Sequence, residues 1–178
     1  MNQKIINVGK RPAIEKIREI LGADLIGAEI GVNKGYNAAY IFQVIKPKLL
    51  YLIDPWNGFF DPGSGEIVGE AQYLLTGELL RDLPYKIIRA TSEIAVKDFQ
   101  DGTLDFCYID GAHNYQSVLL DITLWYPIVR KSGIISGHDF SPASPQIIQA
   151  VEEFCRRNNI SKVFFSAEDW YIRKETDV

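Results

Sequence analysis

The segment AEIGVNKG, residues 28–35, decides how this chain is read. It closes a short apolar run, Leu25–Ile30, which is long enough for one buried strand. It opens onto YNAAYIFQVI (36–45), whose apolar spacing is helical. Glu29 stands at the strand end, and Gly31 and Gly35 frame the turn. In an open α/β sheet this is the first strand-to-helix crossing, where a nucleotide-like ligand binds. Glycine there lets backbone and ligand come close, because a Cβ would intervene. The spacing is G-x-x-x-G, not the G-x-G-x-x-G of dinucleotide binders, and without a lysine–hydroxyl pair it is not a P-loop.

Outward from this crossing, strands and helices alternate. Pro12 suits the first turn of a helix that stops at Gly22. After strand 25–30 come a helix over 36–45, a strand over 49–53 and a helix over about 66–81. A strand over 85–88 leads to a short helix over 92–99, then a strand over 104–109 and a helix over 115–129. Lys131-Ser132-Gly133 reads as a turn into a strand over 134–137, followed by a helix over 145–158. Two last strands, 162–166 and 170–173, are separated by three residues. That link cannot hold a crossover helix, so they must be antiparallel neighbours. The expected fold is α/β: a doubly wound, seven-stranded, mostly parallel sheet with one antiparallel strand near its edge. Residues 1–178 form one domain, with a lid insertion expected over 56–80.

Composition narrows the partners. The 178 residues are 47% hydrophobic, enough for one sizeable core, and the net charge of −4 argues against nucleic acid. Two distant cysteines are not a disulfide framework, and Cys107, inside an apolar run, reads as packing. The amino terminus MNQKIINVGK lacks an apolar core region and no run reaches membrane-spanning length, so a cytoplasmic protein without a membrane partner is expected. Homo-oligomerisation stays open.

Ligand contacts in such a sheet come from the carboxyl ends of its strands. Those ends carry Glu29 and Gly31, then Asp54, then Thr91-Ser92, then Asp110 and His113, then His138-Asp139. Four of the five are acidic, which suits hydroxyls, a cationic ligand or a metal. Asp54 follows Glu29 by 25 residues, near the roughly 20 expected of a ribose-binding carboxylate. The chain's two histidines both fall at strand ends, where an imidazole titrating near neutrality can move a proton. Asp110, His113 and His138 are therefore the catalytic candidates.

AEIGVNKG, YLIDPW (51–56) and LDFCYIDGAHNYQSVLLDITLWYPIVRKSGIISGHDF (104–140) together resemble class I S-adenosylmethionine-dependent methyltransferases. The resemblance is to the branch with small-molecule O-methyltransferases, including macrolide-sugar and catechol-type enzymes, and covers about residues 25–140. It implies methyl transfer to a small-molecule hydroxyl with S-adenosyl-L-methionine as cofactor. It implies Glu29, Gly31 and Gly35 around the methionine part, Asp54 on the ribose, Thr91-Ser92 near the adenine and Asp110 at the rim of the same site. Metal-dependent members have acidic groups at the positions of Asp110, His138 and Asp139, and often a lysine base where this chain has His113. Here an imidazole replaces one carboxylate. The set would suit magnesium or a softer divalent ion, or the site would use no metal, with His113 or His138 as base.

WNGFFDPGSG (56–65) is aromatic and glycine-containing. As a lid it would bring Trp56, Phe59 and Phe60 over the ligand as apolar walls. Two other readings stand beside the methyltransferase: an NAD-dependent oxidoreductase, and a non-catalytic nucleotide-binding module.

Overall fold

The computed structural model describes residues 9–61 and 65–175. Helix α1 (Pro12–Leu21) precedes β1 (Ile26–Ile30), α2 (Tyr36–Val44) and β2 (Leu49–Ile53). A two-stranded hairpin follows, β3 (Phe59–Asp61) and β4 (Glu66–Val68), then α3 (Glu70–Leu79), β5 (Tyr85–Ile88) and α4 (Ser92–Ala95). The chain continues through β6 (Leu104–Ile109), α5 (Tyr115–Ile128), β7 (Val129–Gly137) and α6 (Pro145–Arg157) to β8 (Phe164–Ser166) and β9 (Asp169–Arg173).

The main sheet has seven strands in the order β5-β2-β1-β6-β7-β9-β8. β9 pairs antiparallel with both neighbours, so it is the one reversed strand and lies next to the edge. The fold expected from the sequence is the fold found. The order also reverses direction at β1: the chain passes from β1 to β2 on one side and later to β6 on the other. Their carboxyl ends diverge there and leave the crevice in which open α/β sheets bind ligands.

Alternate residues of each strand feed two cores. Cys107 and Ile109 of β6 pack with Ile122, Trp125 and Phe154 from α5 and α6. Phe106 and Tyr108 pack on the other face with Ile14, Ile41 and Phe42 from α1 and α2. This period of two, with apolar residues on both faces, is what a buried parallel strand requires. Both cysteines are buried and unpaired, as expected of packing residues.

Beyond shifts of one or two residues at element ends, three segments differ from the sequence reading. Glu66 does not start a helix: residues 66–68 pair with 59–61, and the helix begins at Glu70. Gly69, in an extended conformation, breaks the run, and its N–H is capped by Gln72 Oε1 at 3.1 Å. The turn expected at Lys131–Gly133 lies inside β7, which starts directly after α5. There the β6 partners jump from Leu104↔Val129 to Phe106↔Ile134, so residues 130–133 bulge from the ladder. Finally, the 92–99 helix is one α-turn followed by a 3₁₀ turn over Val96–Asp98.

Candidate functional site

A cleft of about 1130 Å³ opens over the carboxyl ends of β1, β2 and β6, and Glu29, Asp54, Thr91, Ser92, Asp110 and His113 all line it. The topology explains the convergence. β1 lies between β2 and β6, and the loops that leave these strands splay around one crevice. Backbone bonds fix the rim: Gly31 N–H donates to the Ile53 carbonyl at 2.9 Å, and Asp110 N–H donates to the Ile30 carbonyl at 2.8 Å.

Gly31, expected to make room for a ligand, lines the cleft, and the structure adds a second constraint on it. A Cβ at Gly31 would stand 2.3 Å from the Asp110 carbonyl oxygen, and the residue has φ +85°. The close approach is between two strand ends of the protein itself. Gly35 is similar: it has φ +75°, lies outside the cleft lining, and a Cβ there would stand 2.9 Å from Thr76 Cγ2 on α3.

Glu29 is fully buried at the cleft floor. Its Oε1 accepts a hydrogen bond from Asn37 Nδ2 at 2.9 Å, while Oε2 has no partner among the described residues. Burial pushes its pKa well above the usual range, the bond from Asn37 opposes this, and the charges of Asp110 and Asp54 add to the rise. A buried, half-satisfied carboxylate is costly until a cation reaches it. Asn37 escaped the sequence reading. Its only signal was a polar residue in the first turn of an otherwise apolar helix.

Asp54 does more locally than the ribose reading supposed. Oδ2 accepts from the N–H groups of Val32 and Asn33, each at 3.0 Å, and Oδ1 accepts from Trp56 N–H at 2.9 Å. The carboxylate thus clamps the loop after β1 to the loop after β2. One lone pair of Oδ1 is left for a ligand. Trp56 is also reassigned. It is buried, its Nε1 donates to the Asn33 carbonyl at 2.8 Å, and it meets Tyr73 edge to face. It anchors the insertion and does not wall the ligand. Phe59 and Phe60, both exposed, line the cleft from the hairpin.

Next to Thr91 and Ser92 stands a carboxylate that the sequence reading missed. Asp121 of α5 lines the cleft while almost fully buried. Burial raises its pKa to about 6, against the pull of Ser92. Ser92 Oγ in turn accepts from Trp125 Nε1 at 2.8 Å.

At the other end lies an acid–imidazole cluster. His113 Nε2 is 3.2 Å from Asp139 Oδ2 and 3.7 Å from Asp110 Oδ1. Asp110 and then Asp139 raise the His113 pKa above its ordinary value, against partial burial. Asp139, with a left-handed backbone (φ +59°), turns its carboxylate toward both imidazoles, and His138 Nδ1 is 3.1 Å from its other oxygen. The bond from His138 lowers the Asp139 pKa. For His138, burial works downward, but Asp139 and Asp110 outweigh it and the net direction is up.

The donors therefore sort differently from the trio Asp110, His138 and Asp139. Asp110, His113 and Asp139 offer ligand atoms within 4.8 Å of one another, and His138, Asp139 and Glu168 form a second such group. Neither His138 nor Asp139 lines the cleft itself; Asp139 reaches it through its contact with His113. Beneath them Asp169, also missed, accepts from Tyr108 Oη at 2.9 Å and from the Ala13 N–H at 2.9 Å. Burial raises its pKa to about 6. Among the described residues, no helix is long and apolar enough to cross a membrane.

Among curated sequences, uncharacterized protein R132 of Acanthamoeba polyphaga mimivirus is 30% identical over 135 residues, 73% of this chain. The chain spans only 59% of that relative's length. Among solved structures, the O-methyltransferase NovP superposes with a TM-score of 0.68 at 18% identity, covering 92% of this chain and 80% of NovP. MycE methyltransferase from the mycinamycin biosynthetic pathway, in complex with magnesium and S-adenosylhomocysteine, superposes with a TM-score of 0.61 at 14% identity, covering 92% of this chain and 49% of MycE. At such identities the likeness is one of fold. The family model for a methyltransferase domain matches residues 28–140, the stretch that runs from the floor of the cleft to the acid–imidazole cluster. This chain belongs to that methyltransferase-domain family.

Proposed function

We propose that the chain transfers a methyl group from S-adenosylmethionine to a hydroxyl of a small-molecule acceptor. One observation carries this reading. A single cleft joins the half-satisfied Glu29 at its floor to His113 at its rim, which Asp139 backs from outside the lining, so a cationic cofactor end and a proton-accepting imidazole belong to one site. The family match supports methyl transfer over the NAD-dependent oxidoreductase. When bound, S-adenosylmethionine supplies an electrophilic methyl on a sulfonium. The chain's residues do the rest. Glu29 receives the ligand's ammonium, the remaining Oδ1 lone pair of Asp54 takes one ribose hydroxyl, and Asp121 with Ser92 accepts an adenine amino group. Phe59 and Phe60 exclude water from the acceptor hydroxyl, which is a better nucleophile when desolvated. His113 takes the hydroxyl proton at Nδ1, the nitrogen opposite the one that faces Asp139 and Asp110, and the two carboxylates stabilise the imidazolium that forms.

A second reading concerns a divalent metal. Two carboxylates and an imidazole gathered within 4.8 Å are a donor set that fits one. Asp110, Asp139 and His113 would hold the ion, which would acidify the acceptor hydroxyl. The two readings exclude each other at His113, because an imidazole ligated through one nitrogen carries its proton on the other and has no lone pair left to act as a base. Titration calorimetry with S-adenosylhomocysteine and with NAD, followed by transfer of labelled methyl to hydroxyl acceptors, tests the main reading. Binding of NAD but not of S-adenosylhomocysteine would overturn it. Binding without transfer to any acceptor would leave a non-catalytic module.

A further inference from the structure

Arg11 lies outside the segment that matches the family, immediately before α1, yet its side chain lines the same cleft as Glu29. Its Nε is buried and has no partner among the described residues. Among the described residues its side chain makes one hydrogen bond, from Nη1 to the Lys10 carbonyl, 3.5 Å long and at the weak limit of such bonds. A guanidinium carries five donors and stays charged at any pH a protein meets. A buried donor left unpaired costs free energy, so such a group signals a missing acceptor. Glu29, which lines the same cleft, has the complementary defect, a buried oxygen without a donor among the described residues. The charge of Arg11 is felt at Glu29, and at Asp139 and Asp169. The two groups are within electrostatic reach but do not neutralise each other. A cation and an anion held apart in one cleft are the template for a zwitterion of opposite polarity.

We propose that Arg11 is the carboxylate receptor of the cleft and that, with Glu29 taking the ammonium, it recognises an α-amino-acid head group. The assignment rests on the cofactor reading above, since the methionine end of S-adenosylmethionine is such a head. Arg11 then selects nucleosides with an intact amino-acid tail over those without one. The planar fork of the guanidinium matches a carboxylate in two parallel bonds, which a lysine cannot reproduce.

Titration calorimetry on the full chain tests this with three probes. S-Adenosylhomocysteine carries both charges, its decarboxylated analogue keeps only the ammonium, and methylthioadenosine has neither. The wild type should bind S-adenosylhomocysteine roughly 10- to 100-fold more tightly than the decarboxylated analogue, the scale of charge-assisted hydrogen bonds. Arg11→Gln should lose that factor for S-adenosylhomocysteine and leave the other two probes unchanged. Arg11→Lys should recover only part of it. Glu29→Gln should weaken both ammonium-bearing probes and spare methylthioadenosine. If the wild type binds S-adenosylhomocysteine without preferring it to the decarboxylated analogue, the inference falls while the cofactor reading stands. The same follows if Arg11→Gln keeps the wild-type preference, or changes only the acceptor KM, which would place the carboxylate on the acceptor. If the wild type binds none of the three probes, the cofactor reading falls and takes the inference with it.

Discussion

His113 Nε2 lies 3.2 Å from Asp139 Oδ2, a contact that joins the loop after β6 to the end of β7. Asp110 faces the same nitrogen at 3.7 Å. Two carboxylates at the ends of adjacent parallel strands would repel one another. Here an imidazole stands between them and, when protonated, supplies the cation that the pair calls for. The arrangement makes His113 more basic than a free histidine, so its charge state is set by neighbours that can be changed one at a time.

The first prediction follows from that coupling. The His113 pKa is raised in the fold, first by Asp110 and then by Asp139. A raised folded pKa contributes stability that is full below the unfolded value of about 6.5 and fades as pH rises through the folded pKa. Asp139→Asn should therefore lower the His113 pKa and cost more stability at pH 6 than at pH 9. Proton NMR titration of the imidazole and urea melts at both pH values measure this. A His113 titration that does not move in Asp139→Asn would show that the contact is not electrostatically coupled.

A second prediction concerns Gly31. A side chain there needs a left-handed backbone and meets the Asp110 carbonyl oxygen. Gly31→Val should destabilise the protein by about 2 kcal/mol or more, combining backbone strain and overpacking. It should also displace Asp110 and so disturb His113. Urea denaturation measures the first effect and the imidazole titration the second. A variant with wild-type stability and no ligand affinity would show that the glycine serves the ligand alone.

Gly31 also shows where sequence reading stops. That the glycine was special, at the carboxyl end of the first strand, could be read from AEIGVNKG. What it was special for depended on Asp110, 79 residues on, which only the pairing of β1 with β6 brings close. Strands and helices were legible because each is a local pattern of period two or 3.6. The β3–β4 hairpin was not, because its exposed Phe60 and Ile67 carry no alternating core face. Acidic strand ends were legible as a group. Which imidazole would join Asp110 and Asp139 was not, because that depends on the left-handed turn at Asp139. Arg11 could not be found at all, since a lone arginine before a helix carries no pattern.

Asp54 yields a third prediction. Its carboxylate satisfies the N–H groups of Val32, Asn33 and Trp56. Asp54→Ala should cost about 1–3 kcal/mol per donor left buried and unpaired, lowering the melting temperature before any ligand is added. S-Adenosylhomocysteine affinity should fall as well, because the loop it clamps lines the cleft. A thermal melt like that of the wild type, with affinity alone reduced, would return Asp54 to a purely ligand-binding role.

A fourth prediction addresses the buried triangle of Tyr108, Asp169 and the Ala13 N–H. Asp169 titrates near pH 6 in the fold, above the usual carboxylate range, because of burial. A raised carboxylate pKa means the folded state holds its proton longer than the unfolded one. Asp169 therefore makes stability fall as pH rises between the two pKa values. Tyr108→Phe removes a donor to the ionised form, so the pKa should rise further and the loss should extend to higher pH. Melts of both proteins from pH 4 to 8 measure this. Parallel curves would mean the Tyr108 bond does not favour the charged form.

The last prediction separates the two roles open to His113. As a general base, the imidazole must be neutral to act. Turnover should then rise with pH through a pKa above the ordinary 6.5, and His113→Ala should lower kcat roughly 10²-fold. Excess chelator should leave the rate unchanged, and Asp139→Asn should shift the pH profile downward along with the imidazole pKa. As a metal ligand, the same imidazole must lose its proton to the incoming ion, so binding would release protons and tighten with pH. Manganese titration by calorimetry in buffers of different ionisation enthalpy counts those protons without needing an acceptor. Proton release on manganese binding, with activity lost to chelator and restored by magnesium or manganese, would overturn the base assignment. Asp110, His113 and Asp139 would then be the ligand set, and the proton would have to leave through His138 or solvent. A rate unaffected by chelation, by His113→Ala and by His138→Ala would remove this whole end of the cleft from the chemistry.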